Sequence, residues 1–332
     1  MGFEHIIGQT GVKRILRETI AGERIGHAYL FYGADGIGRK TVAREFASLI
    51  MCTNPSSEGE RCGSCEACVL NRTLTNPDYV FVDVPQKKST IGVDAVRQMQ
   101  DDMYTAPLYS KKKVYLINHA EKMTPEAQNA LLKTLEEPPA YVIILLICSN
   151  ISLMLDTVKS RVTRVDFARY TNAEIAEALR EKKISEDELS VICAYADGLI
   201  GRAKSYFEDT DADEIRDHLL RYIESICTGK TRARIEAADY VIKEEARKEF
   251  VFFTLMSFYR DIAVSCRYGK RVKLQNVKEH GKIFEIGKKI GFYKAEACLL
   301  LLDETWKQII QNVNYKLAVG NMFIKIQEVF YA

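Results

Sequence analysis

Nine residues between an apolar run and a helical pattern have the types and order of a phosphate-binding loop: Gly33-Ala34-Asp35-Gly36-Ile37-Gly38-Arg39-Lys40-Thr41. In such a loop, backbone amides and a helix N-terminus cradle phosphate oxygens, a lysine reaches the phosphates and a Ser or Thr hydroxyl ligates magnesium. Matching the loop's two glycines to Gly33 and Gly38 puts Arg39 in the lysine position and Lys40 in the hydroxyl position. The shifted register keeps Lys40 and Thr41 in place but puts Ala34 and Arg39 where both glycines belong. Glycines at 33, 36 and 38 support the first register, which loses the metal-binding hydroxyl. A second position bears on the same chemistry. In active P-loop ATPases the strand carrying the metal-associated acid ends in Asp, often Asp-Glu, whereas here Val114-Tyr115-Leu116-Ile117 runs into Asn118-His119. Neither residue supplies the carboxylate that holds the metal or the base that orients water. The expectation is a nucleotide site that does not turn over ATP or magnesium, with residual phosphate binding left open. An active ATPase with a shifted loop is the rival reading.

A second constellation is Cys52-x9-Cys62-x2-Cys65-x2-Cys68. Two overlapping C-x2-C steps bring three sulfurs together and the longer loop returns the fourth, which suits one closed, tetrahedral, structural zinc per chain. Gly59 and Gly63 supply the turning. Free thiols or a redox pair are the alternatives, and the spacing matches neither ferredoxin pattern. The other cysteines, at 148, 193, 227, 266 and 298, are scattered through apolar or helical stretches and read as core thiols.

The elements that position these residues follow from periodicity. Ala28 to Tyr32 and Tyr79 to Val82 read as strands, and Val114 to Ile117 and Tyr141 to Ile147 as buried runs of the parallel-sheet kind. Thr41 to Met51, Val93 to Met103 and Pro125 to Leu135 read as helices, the last ended by Glu136-Glu137-Pro138-Pro139. Strands alternating with helices imply a parallel α/β sheet covered on both faces. All seven prolines lie at or before Pro139, and the chain beyond is helical by pattern. Asn172 is the expected N-cap of a helix through Arg180, and Asp197-Gly198 a turn. Lys111-Lys112-Lys113 reads as a solvated loop, and Phe252, Phe253 and Phe258 as core or subunit packing. The expected organisation is an α/β domain over 1–167 with the zinc module at 52–68, a small helical domain over 168–208 and a helical domain over 209–332.

The chain has 332 residues, 47% of them hydrophobic and 28% charged, and a formal charge of only +2. Contact with nucleic acid would therefore come from a local patch. The first residues lack the plan of a signal peptide and the longest apolar run is too short for a bilayer, so a soluble cytoplasmic protein is expected.

Val114 to Ile117, then Asn129-Ala130-Leu131-Leu132-Lys133-Thr134-Leu135-Glu136-Glu137-Pro138-Pro139, then Ser160-Arg161, resemble the bacterial clamp-loader subunits of the DNA polymerase III holoenzyme, which belong to the AAA+ class. The likeness covers roughly the first 205 residues, and the four-cysteine excursion is also a feature of this family. It implies an AAA+ α/β domain, a helical lid and an all-α collar. It also implies a hetero-pentameric ring with gamma or tau and delta subunits that loads the sliding clamp onto primed DNA. The hydrolysing members keep a Gly-Lys-Thr loop and an Asp-Glu strand end, so the departures here imply the non-hydrolysing member, a polymerase-holoenzyme component without activity of its own. Arg161 would then serve as an arginine finger for a neighbour's ATP, although Val162 stands where the family motif has Cys. Arg202 occupies the position of a phosphate-sensing lid arginine, and Arg97 lies on the helix that faces DNA in related loaders.

Overall fold

The computed structural model describes residues 2–22, 24–182, 184–208, 211–227, 231–269, 272 and 274–331. The first part of the chain alternates helices and strands: α1 (Thr10–Ala21), β1 (Ala28–Tyr32), α2 (Arg39–Ile50), α3 (Glu66–Thr73), β2 (Tyr79–Val82), α4 (Val93–Met103), β3 (Lys113–Ile117), α5 (Pro125–Glu136), β4 (Val142–Cys148), α6 (Asp156–Lys159), β5 (Thr163–Asp166) and α7 (Asn172–Ala178). The strands form one parallel sheet in the order β2-β3-β4-β1-β5. Leu30 of β1 lies opposite Leu146 of β4 on one side and Arg164 of β5 on the other. The loops that follow β1, β3 and β4 therefore leave from one carboxyl edge, where open α/β sheets bind ligands.

Both faces of the sheet are covered, which is why β3 and β4 are buried along their whole lengths. Ala28, Leu30, Tyr115, Ile117, Ile144 and Leu146 face a core completed by Val96 and Met99 of α4, Leu131 of α5 and Val158 of α6. The alternate residues of β1 point the other way: Tyr29 and Phe31 pack on Phe46 of α2, with ring centroids 5.1 and 6.2 Å apart. This alternation is the period-2 rule of a strand buried on both sides.

Three local expectations differ from the structure. Helix α2 begins at Arg39, two residues before the expected start, because Gly38 caps it in the left-handed region at φ 93°. Helix α7 is capped by Thr171, not Asn172: the Thr171 hydroxyl accepts from the Glu174 amide at 3.2 Å while the Glu174 carboxylate accepts from the Thr171 amide at 2.8 Å. That reciprocal pair is a capping box. Lys113 is the first residue of β3, not part of a solvated loop. The residue is 4% exposed, and its ammonium lies 3.0 Å from the Asp102 carboxylate at the end of α4.

The described chain forms two compact units, Met1–Ala178 with Gly198–Gly201, and Leu179–Asp197 with Arg202–Ala332. The expected joint at 208–209 falls where residues 209 and 210 lie outside the described residues. The remaining elements are helical: α8 (Glu186–Ala196), α9 (Ile200–Glu208), α10 (Ala212–Ile226), α11 (Thr231–Lys243), α12 (Lys248–Tyr268), α13 (His280–Ile290), α14 (Phe292–Ile310) and α15 (Tyr315–Tyr331). Phe252 and Phe258 of α12 are fully buried in the second unit, and Phe252 and Phe253 both pack on Trp306 of α14. Among the described residues no helix is long and apolar enough to cross a membrane.

The second unit carries a buried polar network. Asp261 accepts from the Asn276 amide at 2.7 Å and from its side chain at 2.9 Å, and Arg216 donates to Asn276 at 2.8 Å and to Glu279 at 2.7 Å. Burial pushes the Asp261 carboxyl above its ordinary range, opposed by those Asn276 hydrogen bonds. The native state thus holds this proton at a pH where the unfolded chain has released it. The stability contributed by Asp261 is fully present below the unfolded value of about 3.9 and is lost as the pH rises through the native one. The substitution Asp261→Asn is expected to remove that slope. Urea unfolding of both forms between about pH 4 and about pH 7 checks this, and identical slopes would contradict it.

Candidate functional site

The phosphate-type loop is built at the carboxyl end of β1. Gly36 and Gly38 adopt φ 78° and 93°, a conformation that side chains resist, and Gly38 delivers the chain into the first turn of α2. The loop does not present its basic side chain to an open cradle. Arg39 is 6% exposed and its guanidinium is paired with the carboxylate of Asp35, four residues earlier in the same loop. Its other terminal nitrogen, Nη1, is buried without a hydrogen-bond partner. Lys40 and Thr41 lie on the outer face of α2, with the Lys40 ammonium 4.3 Å from the centre of the Phe81 ring. The loop apex is also closed by backbone: the Gly201 amide donates to the Gly36 carbonyl at 2.7 Å. A Cβ at Gly201 would come within 2.9 Å of the Gly36 Cα.

At the end of β3, Asn118 donates its side-chain amide to Asp83 at 2.8 Å, and its backbone amide bonds Val82. His119 follows in the left-handed region at φ 52°. Besides Asp83, a second carboxylate at this edge is Glu121, which also lies outside the two positions the sequence marks. It is buried, accepts from the Ser149 hydroxyl at 2.7 Å and lies 3.7 Å from His119 Nδ1, while its Oε2 has no hydrogen-bond partner. Burial and the Glu121 charge push the Cys148 thiol up to about 12. The structure thus gathers Arg39, Asn118 and His119 at one sheet edge, with Asp35, Asp83 and Glu121 as partners that motif spacing does not reveal. The signal that could have found Glu121 is a lone carboxylate inside an otherwise apolar strand-to-turn segment.

The cysteine excursion closes on itself. The sulfurs of Cys52, Cys62, Cys65 and Cys68 all lie within 4.8 Å of one another, and Cys52 and Cys62 are 3.6 Å apart. Metal–sulfur bonds of about 2.3 Å in a tetrahedron separate the sulfurs by about 3.8 Å, so the four thiols could hold one metal ion. Backbone amides already point at them. The Cys62 amide donates to Cys52 Sγ and the Cys65 amide to Cys62 Sγ, each at 3.3 Å. Donation from the Cys65 and Ser64 amides lowers the Cys62 thiol to about 6, which favours the thiolate a metal requires. The excursion is bound to the rest of its unit by Arg61 on Glu45 of α2 and by Arg17 of α1 on Glu60.

The three isolated arginines have different surroundings. Arg161, after α6, is partly exposed, pairs with Glu136 at 2.8 Å and donates to the Thr157 carbonyl at 2.9 Å. Arg97 is exposed on α4. Arg202 belongs to the second unit, where its guanidinium pairs with Glu249 at 2.7 Å and stacks 4.0 Å from the Phe253 ring centre, both on α12.

Comparison with known proteins agrees with this layout. A family model described as "DNA polymerase III, delta subunit" matches residues 8–171. The chain is 32% identical over 202 residues to a DNA polymerase III subunit gamma/tau of Mycoplasma pneumoniae, covering 59% of this chain and 29% of that relative. It is 40% identical over 135 residues to a DNA polymerase III subunit delta' of Pseudomonas aeruginosa, covering 41% of each. It is 27% identical over 329 residues to the subunit delta' of Bacillus subtilis, covering 96% of each. The match spans well under half of the Mycoplasma and Pseudomonas relatives.

The purified chain is expected to carry about one metal ion, and Cys65→Ser to lose it together with the compactness of the excursion. Elemental analysis and limited proteolysis between Cys52 and Cys68 check this. A metal-free wild type with the same protection would contradict it.

Proposed function

We propose, from the premise that this chain is a delta-prime-like member of the bacterial DNA polymerase III clamp-loader family, that it is the non-hydrolysing subunit of a replicative clamp loader. In this reading it assembles with gamma or tau and delta subunits into a hetero-pentameric ring in the cytoplasm, and the ring loads the sliding clamp onto primed DNA. The observation that carries the reading is the pairing of Arg39 with Asp35 in the loop. A carboxylate of the chain itself occupies the cation that a phosphate would need, and the neighbouring strand end offers the Asn118 amide where a metal-binding acid is required. The Gly201–Gly36 hydrogen bond supports the same conclusion by drawing backbone over the loop apex. The rival active ATPase would need Lys40 and Thr41 at the phosphates, and the ammonium of Lys40 is instead engaged by Phe81.

The remaining roles follow from this reading. Zinc is the metal for Cys52, Cys62, Cys65 and Cys68, because four thiolates in a closed tetrahedron leave no position for a substrate. Arg161 is the group offered to a neighbour's ATP. It is accessible, permanently charged and oriented by Glu136 and the Thr157 carbonyl, and a planar guanidinium suits transferring phosphate charge. Arg97 contributes to the DNA-facing surface as a contact to phosphate that carries no sequence information. Arg202 acts within its helical unit through Glu249 and Phe253, not on a phosphate. The division into an α/β domain over 1–167, a lid over 168–208 and a collar over 209–332 gives the ring its subunit contacts. Leu317, Ile324 and Tyr331 are exposed on α15 at intervals of seven residues, and Tyr293 and Leu300 on α14 repeat that spacing. An apolar stripe of this kind is suited to packing against another helix.

Two measurements test the proposal. The purified chain is expected to show no ATP turnover above background, and sustained turnover by the isolated chain would overturn the non-hydrolysing role. In a reconstituted loader, Arg161→Ala is expected to silence the one ATP site it faces, since arginine fingers contribute about 10³–10⁵ to turnover. Unchanged DNA-stimulated ATPase would remove the finger assignment while leaving the assembly role intact.

A further inference from the structure

The outer face of α2, turned away from the loop, forms one wall of a cavity of about 400 Å³ closed by the cysteine excursion and the start of β2. Four cations line it, Lys40 and Arg44 from α2 and Arg61 and Arg72 from the excursion, against one carboxylate, Glu45. Glu45 is already taken by Arg61. Among the described residues neither Arg44 nor Arg72 has a carboxylate partner, and Lys40 rests on the Phe81 ring. A cavity with this charge is set for an anion.

Two neutral groups in the wall point to the same kind of ligand. Asn71 Nδ2 and the Tyr79 hydroxyl are buried and have no hydrogen-bond partner. The orientation of Asn71 is fixed by a chain of bonds. The Asp78 amide donates to Asn76 Oδ1 at 2.9 Å, so the Asn76 nitrogen must donate, and it does so to Asn71 Oδ1 at 2.8 Å. That leaves Asn71 Nδ2 as an unsatisfied donor just beneath the cavity wall to which Asn71 belongs. Burial pushes the Tyr79 hydroxyl up to about 12, opposed by the Arg44 charge, so it keeps its proton and can donate. Buried donors without acceptors are rare and costly, and they are satisfied by a ligand rich in acceptor oxygens.

We propose that this cavity binds a phosphate group, with Arg44 and Arg72 as its charged arms and Asn71 Nδ2 and the Tyr79 hydroxyl as donors that a small side-chain shift brings to it. A tetrahedral oxyanion matches several separate donors, whereas a carboxylate presents a single edge to one guanidinium. The site is distinct from the loop at the end of β1, because Arg39 turns inward to Asp35 while Lys40 and Arg44 project from the other side of the same helix. The cysteine excursion acquires a purpose in this arrangement: it holds Arg72 and Asn71 opposite α2. The phosphate has two chemical sources, a nucleic-acid strand or a free small phosphate.

The test uses the full chain with two probes, inorganic pyrophosphate followed by calorimetry and a short 5′-phosphorylated oligothymidylate followed by fluorescence anisotropy. At least one probe is expected to bind, more weakly as salt is raised. The double substitution Arg44→Ala with Arg72→Ala is expected to weaken it about tenfold or more. Asn71→Asp, isosteric but with an acceptor and a charge in place of the donor, should do the same, and Tyr79→Phe, which removes a hydroxyl that bonds nothing in the protein, should do so without lowering the thermal unfolding midpoint. Binding of pyrophosphate with this pattern assigns the site to a free phosphate, and binding of the strand alone assigns it to nucleic acid. The proposal is overturned if neither probe binds below about 1 mM, or if the Arg44, Arg72 and Asn71 variants bind as wild type does. It is also overturned if Arg39→Ala abolishes binding while those variants keep it.

Discussion

A guanidinium buried under the first turn of a helix must have a counter-charge close by, and in this protein the counter-charge is internal. Arg39, the first residue of α2, finds Asp35 in the turn between β1 and α2. The cost of burying a charge without a partner is several kcal/mol, so the loop is held in the shape that lets the pair form. That shape governs what surrounds it. It points Lys40 outward to Phe81 and leaves the loop apex flat enough for the Gly201 amide to bond Gly36. A phosphate entering the loop would have to compete with a carboxylate tethered four residues away, at an effective concentration that free ligands do not reach.

The cysteine excursion depends on the same helix from its other side. Arg61 reaches Glu45 on α2, and Glu60 is held by Arg17 of α1. Four converging sulfurs give the excursion a fixed centre that its short apolar content could not provide. Helix α2 therefore separates two environments with opposite character. Its inner end is a neutralised charge beside the sheet, and its outer face carries cations with no carboxylate of their own.

Much of this was legible in the sequence, for identifiable reasons. Parallel strands buried on both faces write themselves as continuous apolar runs, and β3 and β4 do so. Glycines that must take positive φ, such as Gly36 and Gly38, are visible because few other residues serve there. The four converging cysteines are visible by spacing alone. Partners distant from a motif are not. Asp35 occupies a loop position where many residues are admissible, and nothing in its spacing announces an ion pair. Glu121 is buried only because Ser149 and the ends of β3 and β4 enclose it. Lys113 was concealed by two lysines before it, and only the end of α4 explains its burial through Asp102. Thr171 and Asn172 are both good cap residues, and Glu174 decides between them by bonding Thr171 in both directions.

The contact between Gly201 and Gly36 involves no side chain on either partner. Its sensitivity to change is therefore unusual. Most substitutions around the loop alter a charge or a volume that neighbours can absorb, but a single methyl group at Gly201 has nowhere to go except between two backbones. Such a pair is a mutational latch. The smallest change in the genetic repertoire, one methyl group at Gly201, would pry the two segments apart.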